Sequence, residues 1–408
     1  MRVQRNVSKM KSAGSKIKNM ADKARSDERV RSMAESIANL LAEQGLDEDS
    51  LEAFGAPKVT HRVVTDDSGN SKSTVTTAIQ LSPKWEQGPQ WPLVTPGPTI
   101  RLPKPKAKPA KTTGWESALI IPDIQIGYYR KSMDAWDLEP IHDEKAIEIS
   151  LAVARKYQPD QIIMVGDNLD FAEFGSFDTE PAFKQMVQPT IDRGTLLCAQ
   201  FRDAAPHAKI VWIQGNHEQR LPRYQVRNFE AAHGITVGRL PDEARANYPL
   251  FSVPVALRMD EFDITYLSGY PENRYFINSN LMVVHGDKVV SNNSTTKKYL
   301  DNERISVIYG HIHRNEVAYR TRATEDGPRT IMAASPGCLC RIDGAVPSAK
   351  SGRNDFGLPI YKGAENWQQG LAMVQYQPKG VGGEYFSYEP MWIFDGRGNF
   401  RGEEYKAD

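Results

Sequence analysis

Five short apolar runs, ALII (118–121), QIIMV (161–165), KIVWI (209–213), LMVV (281–284) and ISVIY (305–309), limit what this chain can fold into more than any other feature. Each has the length and Ile/Val content of a strand buried on both faces. The stretches between them, such as DEKAIEISLAVARKY (143–157), carry apolar residues at helical spacing. Strands alternating with helical segments predict a helix-flanked α/β architecture, not an all-β one. At 408 residues, 40% hydrophobic and 25% charged, the chain has ample material for such a core.

Each run ends in residues that can bind a metal. The first stops at Asp123 and Gln125, the second at Asp167 and Asp170 in GDNLD, and the third at Asn216 and His217 in GNHEQR. The fourth ends in His285 of HGD, and the fifth in His311 and His313 of GHIH, so four of the eight histidines fall at these positions. In layered α/β folds the carboxyl ends of strands converge on one crevice, where residues distant in sequence can meet. A mixed set of carboxylate, amide and imidazole donors suits manganese, iron, zinc or magnesium rather than a thiolate metal. Asn is an uncommon ligand, and its presence beside Asp and His favours a two-metal centre over a plain zinc hydrolase.

In order, these motifs resemble the calcineurin-like metallophosphoesterase superfamily, whose pattern runs DxH, GDxxD, GNH[DE], a histidine, then GHxH. Here they read DIQ, GDNLD, GNHE, HGD and GHIH across residues 123–313, and SPGC (335–338) looks like the small-residue turn that follows the last motif. PDIQIGYY and the late NWQQG (366–370) also look like metallophosphoesterases found in bacteriophage genomes. The resemblance implies a four-layer α/β/β/α sandwich. It implies one metal held by Asp123, Gln125, Asp167 and His313, and a second held by Asp167, Asn216, His285 and His311, with Asp167 bridging. It further implies attack on a phosphate ester by a metal-bridging hydroxide, with His217 as general acid oriented by Asp170. Asp170 and His217 are thus the expected catalytic pair.

The chain departs from the family at Gln125, where most members place histidine. A carbonyl oxygen is harder and less basic than imidazole, so the change favours manganese or magnesium over zinc or iron. Manganese-dependent ADP-ribose and CDP-alcohol diphosphatases of the superfamily are similar in using Gln here. Manganese is therefore the expected cofactor; Gln125 as an amide that orients a water is the alternative. Arg220 in GNHEQR is a candidate phosphate fork, with a structural ion pair as its other reading. His142 is expected to cap or pack, and His61, His207 and His233 to lie at the surface. Tyr128, Tyr129, Phe171, Phe174 and Phe177 follow the first two motifs, where burial is the default and base stacking the alternative.

The main domain is expected from Gly114 to the end of the chain. Residues 83–113 carry repeated prolines with alternating lysines, the composition of an extended linker. Before it, Ser26 and an apolar stripe through Leu41 predict a helix stopped at Gly45, with a second short helix through Leu51 and Phe54. VTHRVVT and STVTTAIQL flanking DDSGNSK predict a hairpin. Residues 1–111 hold 19 basic against 12 acidic side chains, and the remainder 32 against 39. The basic front is suited to a nucleic acid or another polyanion, although LDEDSLEAF (46–54) is too acidic for a groove-reading helix.

Cys198, Cys338 and Cys340 are too few for a disulfide framework, and no run is long and apolar enough to span a bilayer. A cytoplasmic enzyme with no membrane partner is the expectation. Its substrate is expected to be a phosphate ester, nucleic-acid or nucleotide phosphodiesters first, with protein phosphatase or nucleotide diphosphatase activity as alternatives. A binding module with a vestigial metal site is the rival of another class. Residues 345–380, rich in Gly and polar residues, read as a substrate-side loop or a surface excursion.

Overall fold

The computed structural model describes Asn39, residues 51–65 and 71–83, and residues 114–407 except 133–136, 177–178, 237, 239–247, 291–293, 326, 350–351 and 359–364. The chain divides into two compact units, Met1–Gln90 and Trp91–Asp408. In the first, β1 (Leu51–Thr65) pairs antiparallel with β2 (Ser71–Pro83), with a register shift between Phe54 and Lys58. The hairpin is longer than its Thr/Val-rich halves. Leu51–Phe54, expected as a helix, is strand, because its backbone finds partners in Gln80–Pro83 across the ladder. The helix expected from Ser26 to Gly45 and the linker beyond Pro83 lie outside the described residues, apart from the helical Asn39.

The second unit is built on two sheets. Its elements are β3 (Glu116–Ile121), β4 (Tyr128–Arg130), β5 (Leu138–Pro140), α1 (Glu144–Tyr157), β6 (Gln161–Met164), α2 (Val187–Ala204), β7 (Lys209–Ile213), α3 (Arg220–Asn228) and β8 (Ile264–Leu267). There follow β9 (Tyr275–Asn278), β10 (Leu281–Val284), α4 (Thr295–Asn302), β11 (Ser306–Tyr309), β12 (Asn315–Thr324), β13 (Gly327–Pro336), β14 (Gln369–Tyr376), β15 (Phe386–Phe394), β16 (Arg397–Phe400) and β17 (Glu403–Lys406). One sheet has the order β17-β16-β15-β14-β3-β6-β7-β8, the other β12-β13-β11-β10-β9. β3, β6, β7 and β8 run parallel, as do β10, β11 and β13. All five apolar runs of the sequence are therefore strands in the parallel parts of the sheets.

Alternation along these strands makes the layers, since successive side chains point to opposite faces. Ile120, Ile163, Val211 and Ile213 pack against Ile277, Leu281, Val283 and Ile308 of the other sheet. Leu119, Ile121, Ile162, Met164 and Trp212 point the other way, onto Ile147, Leu151, Leu197 and Phe201 of α1 and α2. Met282, Val307 and Ile331 meet Tyr299 and Leu300 of α4 on the far side. The architecture is thus helix, sheet, sheet, helix. Each wholly buried Leu, Ile or Val here contributes roughly 1.5–3 kcal/mol.

Local chemistry fixes how the helices enter. Asp143 caps α1 by accepting from Lys145 N and Ala146 N at 2.9 and 3.1 Å, and Glu144 in the first turn complements the helix dipole. Glu144 also takes a two-pronged bond from Arg193 of α2, both prongs 2.7 Å, which ties the two helices together. His142 packs as expected, fully buried with Nε2 2.9 Å from Glu144 Oε1. Part of the polar stretch 345–380 is core: β14 lies between β15 and β3, and Ala345 and Val346 are buried. No described helix is long and apolar enough to cross a membrane.

Candidate metal centre

Because β3, β6 and β7 run parallel in one sheet and β10 and β11 in the other, their carboxyl ends lie at one edge of the sandwich. Asp167 is at the middle of the group formed there. Its Oδ2 lies 3.2 Å from His285 Nε2 and 3.6 Å from His217 Nε2, and its Oδ1 accepts from His217 N at 2.8 Å. Asp167, His285 and His311 present ligand atoms within 4.8 Å of one another. Asn216 Oδ1 is 3.0 Å from His285 Nε2, and the rings of His285 and His311 are 5.2 Å apart. On the other flank, Asp123 Oδ1 lies 3.4 Å and Gln125 Nε2 3.0 Å from His313 Nε2. All seven candidate ligands are thus brought together, at the positions the strand ends predict.

The backbone at this edge is unusual. Asp123, Gln125, Asp167, His311 and His313 all have positive φ, between 25° and 70°. Non-glycine residues held there cost on the order of 1–3 kcal/mol each, and such strain collects at functional sites. Interlocking hydrogen bonds maintain it: Gln125 N to Asp167 O (2.9 Å), Leu339 N to Asp123 O (3.1 Å) and Gln368 N to His313 O (2.9 Å). Two glycines permit the close approach. A Cβ on Gly215 would run into the Asp167 carboxylate, and one on Gly310 into that of Asp123.

The donors fit divalent cations. His285 Nδ1 donates to Val165 O at 3.0 Å, which turns Nε2 toward two acceptors, Asn216 Oδ1 and Asp167 Oδ2. A proton on Nε2 satisfies both, and despite burial Asp167 pushes the imidazole up to about 9. Positive charge is therefore demanded at that point. His313 is arranged in the complementary way: Gln125 donates to Nε2, and Nδ1 faces Cys340 Sγ at 3.9 Å, so the Nε2 lone pair points into the site. Gln125 Oε1 is buried with no hydrogen-bond partner. The two ends of an amide are alike in shape, so a half-turn exchanges them and offers this orphan acceptor to a cation. Asp167 stays ionised well below the usual carboxylate range: burial opposes this, but the charges of His217, His285 and His311 outweigh it.

Burial and the charge of His285 lower His311 to about 4. The ordinary imidazole value is 6.5. The raised His285 favours folding fully below that value and loses its contribution as pH rises toward 9; the depressed His311 favours it above and loses it as pH falls toward 4. The metal-free chain is expected to be most stable near pH 6.5, with its melting temperature falling on both sides in a calorimetric pH series. A profile that climbs steadily from pH 5 to 9 would contradict this assignment.

His217 and Asp170 meet beside the candidate ligands. Both are buried, with Nδ1 3.2 Å from Asp170 Oδ1, a charge contact without hydrogen-bond angles. Burial pushes Asp170 up, but His217 and Arg220 hold it below its ordinary value. Arg220 is half-buried, donating to Asp170 O at 2.7 Å and lying 2.9 Å from His217 Nε2. Of the aromatics, Tyr129 and Phe171 are buried, Tyr128 and Phe174 are partly so, and Phe177 lies outside the described residues.

Sequence reasoning missed Glu218, although GNHE displays it. Wholly buried, it accepts from Asp167 N (3.0 Å), Asn168 N (2.8 Å), Gly215 N (2.9 Å) and Trp212 Nε1 (3.3 Å), stitching the GDNLD loop to the GNHE loop. Burial, then the charge of Asp167, raises its pKa. Glu218→Ala strands several buried N–H groups at once, and a loss of roughly 3–5 kcal/mol is expected in urea unfolding. Less than about 1 kcal/mol would mean that water replaces the carboxylate. The remaining cluster, His313 with Cys338 and Cys340, is buried; burial and Cys338 raise the Cys340 thiol far above its ordinary value, so it backs His313 as a neutral group.

Residues 118–315, which span every strand end described above, match the model of the calcineurin-like phosphoesterase family. This segment of the chain belongs to that family. The chain is accordingly a metal-dependent phosphoesterase, a hydrolase of phosphate esters. Among solved structures it is similar to Yfce, a phosphoesterase from E. coli, at 10% identity and a TM-score of 0.26, covering 67% of this chain and 97% of that one. No curated protein matches the chain.

Proposed function

We propose that this phosphoesterase cleaves phosphodiesters of nucleic acids or nucleotides, using two divalent ions, manganese foremost. Asp123, Gln125, Asp167 and His313 would hold one ion, and Asp167, Asn216, His285 and His311 the other. The observation that carries this reading is the position of Asp167, whose carboxylate lies against the His285 side of the site while its neighbour His217 is bound through the backbone. When bound, the ions supply an activated water and neutralise charge on the phosphoryl oxygens.

The chain's own residues do the rest. His217 donates a proton to the leaving oxygen, held in orientation by Asp170 across 3.2 Å. Arg220, 2.9 Å from the same imidazole, is released to an incoming phosphate oxygen, with which it makes the stronger charged bond. Gln125 in place of histidine supports manganese or magnesium, since its free atom is a hard oxygen. The metal-stripped protein, supplied in turn with manganese, magnesium, zinc and nickel, should hydrolyse bis(p-nitrophenyl) phosphate faster than p-nitrophenyl phosphate, and fastest with manganese. Preference for the monoester would replace the diesterase reading with a phosphatase one. Absence of turnover with every metal would favour the binding module.

A further inference from the structure

A cleft of about 570 Å³ opens beside the metal centre, and nothing in the proposed chemistry uses its outer part. It shares Asn216 and Arg220 with the site and continues along α3, past Arg223 and Arg227 to the turn at His233. Arg220, Arg223 and Arg227 recur at the three- and four-residue steps that place side chains on one helix face. They span about 10 Å of axis, more than one phosphate group can occupy. The opposite face of α3 is committed to the fold, with Leu221 packed on the core and Gln225 buried.

The described lining contains three arginines and a histidine and no carboxylate. Arg223 and Arg227 are exposed, and among the described residues no acid pairs with either, whereas Arg220 is engaged with Asp170. Aromatic and apolar surface is interleaved with the charge. Phe174 lines the cleft, its ring 5.3 Å from that of Tyr224, and Val226 is half exposed.

We propose that this α3 cleft binds a single strand of nucleic acid, taking phosphates next to the scissile one on Arg223 and Arg227 and a base on the Phe174 and Tyr224 rings. A row of cations beside ring faces is the arrangement that holds an unpaired strand without reading its sequence. This rests on the phosphodiesterase reading and extends it from one phosphate to several.

The test compares the full chain with Arg223→Ala and Arg227→Ala, singly and together. Turnover is measured on bis(p-nitrophenyl) phosphate and on a ten-nucleotide single strand, and binding of the fluorescein-labelled strand is followed by anisotropy on metal-free protein. The double variant should lose about tenfold or more in kcat/KM on the strand relative to the small diester, and each change should flatten the salt dependence of log Kd by about 0.7. Equal losses on both substrates, or an unchanged salt slope, would overturn the cleft assignment. Wild-type turnover of the small diester without binding of the strand would overturn it too, while leaving the diesterase reading intact. No turnover of the small diester would remove that reading and the proposal together.

Discussion

His217→Ala is expected to lower kcat by about 10²–10⁴ on a diester with a poor leaving group, with the metal content unchanged. The substitution removes the imidazole beside Asp170 but leaves the His217 backbone N–H, which bonds Asp167 Oδ1 at 2.8 Å and helps to shape the ligand loop. A p-nitrophenolate departs with little need of a proton, so the loss should be smaller on bis(p-nitrophenyl) phosphate than on an alkyl or nucleoside diester. Metal analysis alongside the two rates checks both halves of the prediction. Equal losses for good and poor leaving groups would assign His217 to phosphate binding instead of proton transfer, and loss of metal would make it a structural prop.

Asp167→Asn should be as damaging for a different reason. The carboxylate is buried, and three imidazoles are arranged about it. An amide of the same shape keeps the contact with His217 N but withdraws the negative charge that the cations need. We expect bound manganese to fall to at most one ion per chain and kcat/KM to drop by at least about 10², since the charge stabilisation supplied by metals is worth several kcal/mol. A second readout needs no turnover. In metal-free protein the His285 imidazole, held up at about 9 chiefly by Asp167, should return toward its ordinary value, visible in an NMR titration. Two ions retained with near-normal rates would show that Asp167 is not shared between them.

Much of the site was legible because its residues stand at the ends of apolar runs. A run such as QIIMV has no polar side chain after Gln161, so the first Asp beyond it must lie where the strand leaves the core. The polar stretch after residue 345 misled for the opposite reason. Composition reports average exposure, while β14 is buried through its pairing with β3, far upstream in the chain, and with β15, which follows it; neither partner is written in its own pattern. Leu51–Phe54 shows the same effect on a smaller scale: spacing favoured a helix, and pairing with Gln80–Pro83 made a strand.

By itself the sequence determined the five strands, the candidate ligand types at their ends and the order in which they occur, because these depend on residues adjacent in the chain. The tertiary structure alone decided which ends face one another. It set Asp167 among His217, His285 and His311, buried Glu218 where it joins two loops, and held five candidate ligand residues at positive φ. It also turned three arginines of α3 toward one cleft. Those outcomes depend on strand order in two sheets and on which helix face the core claims, contacts between residues far apart in the chain that no local pattern encodes.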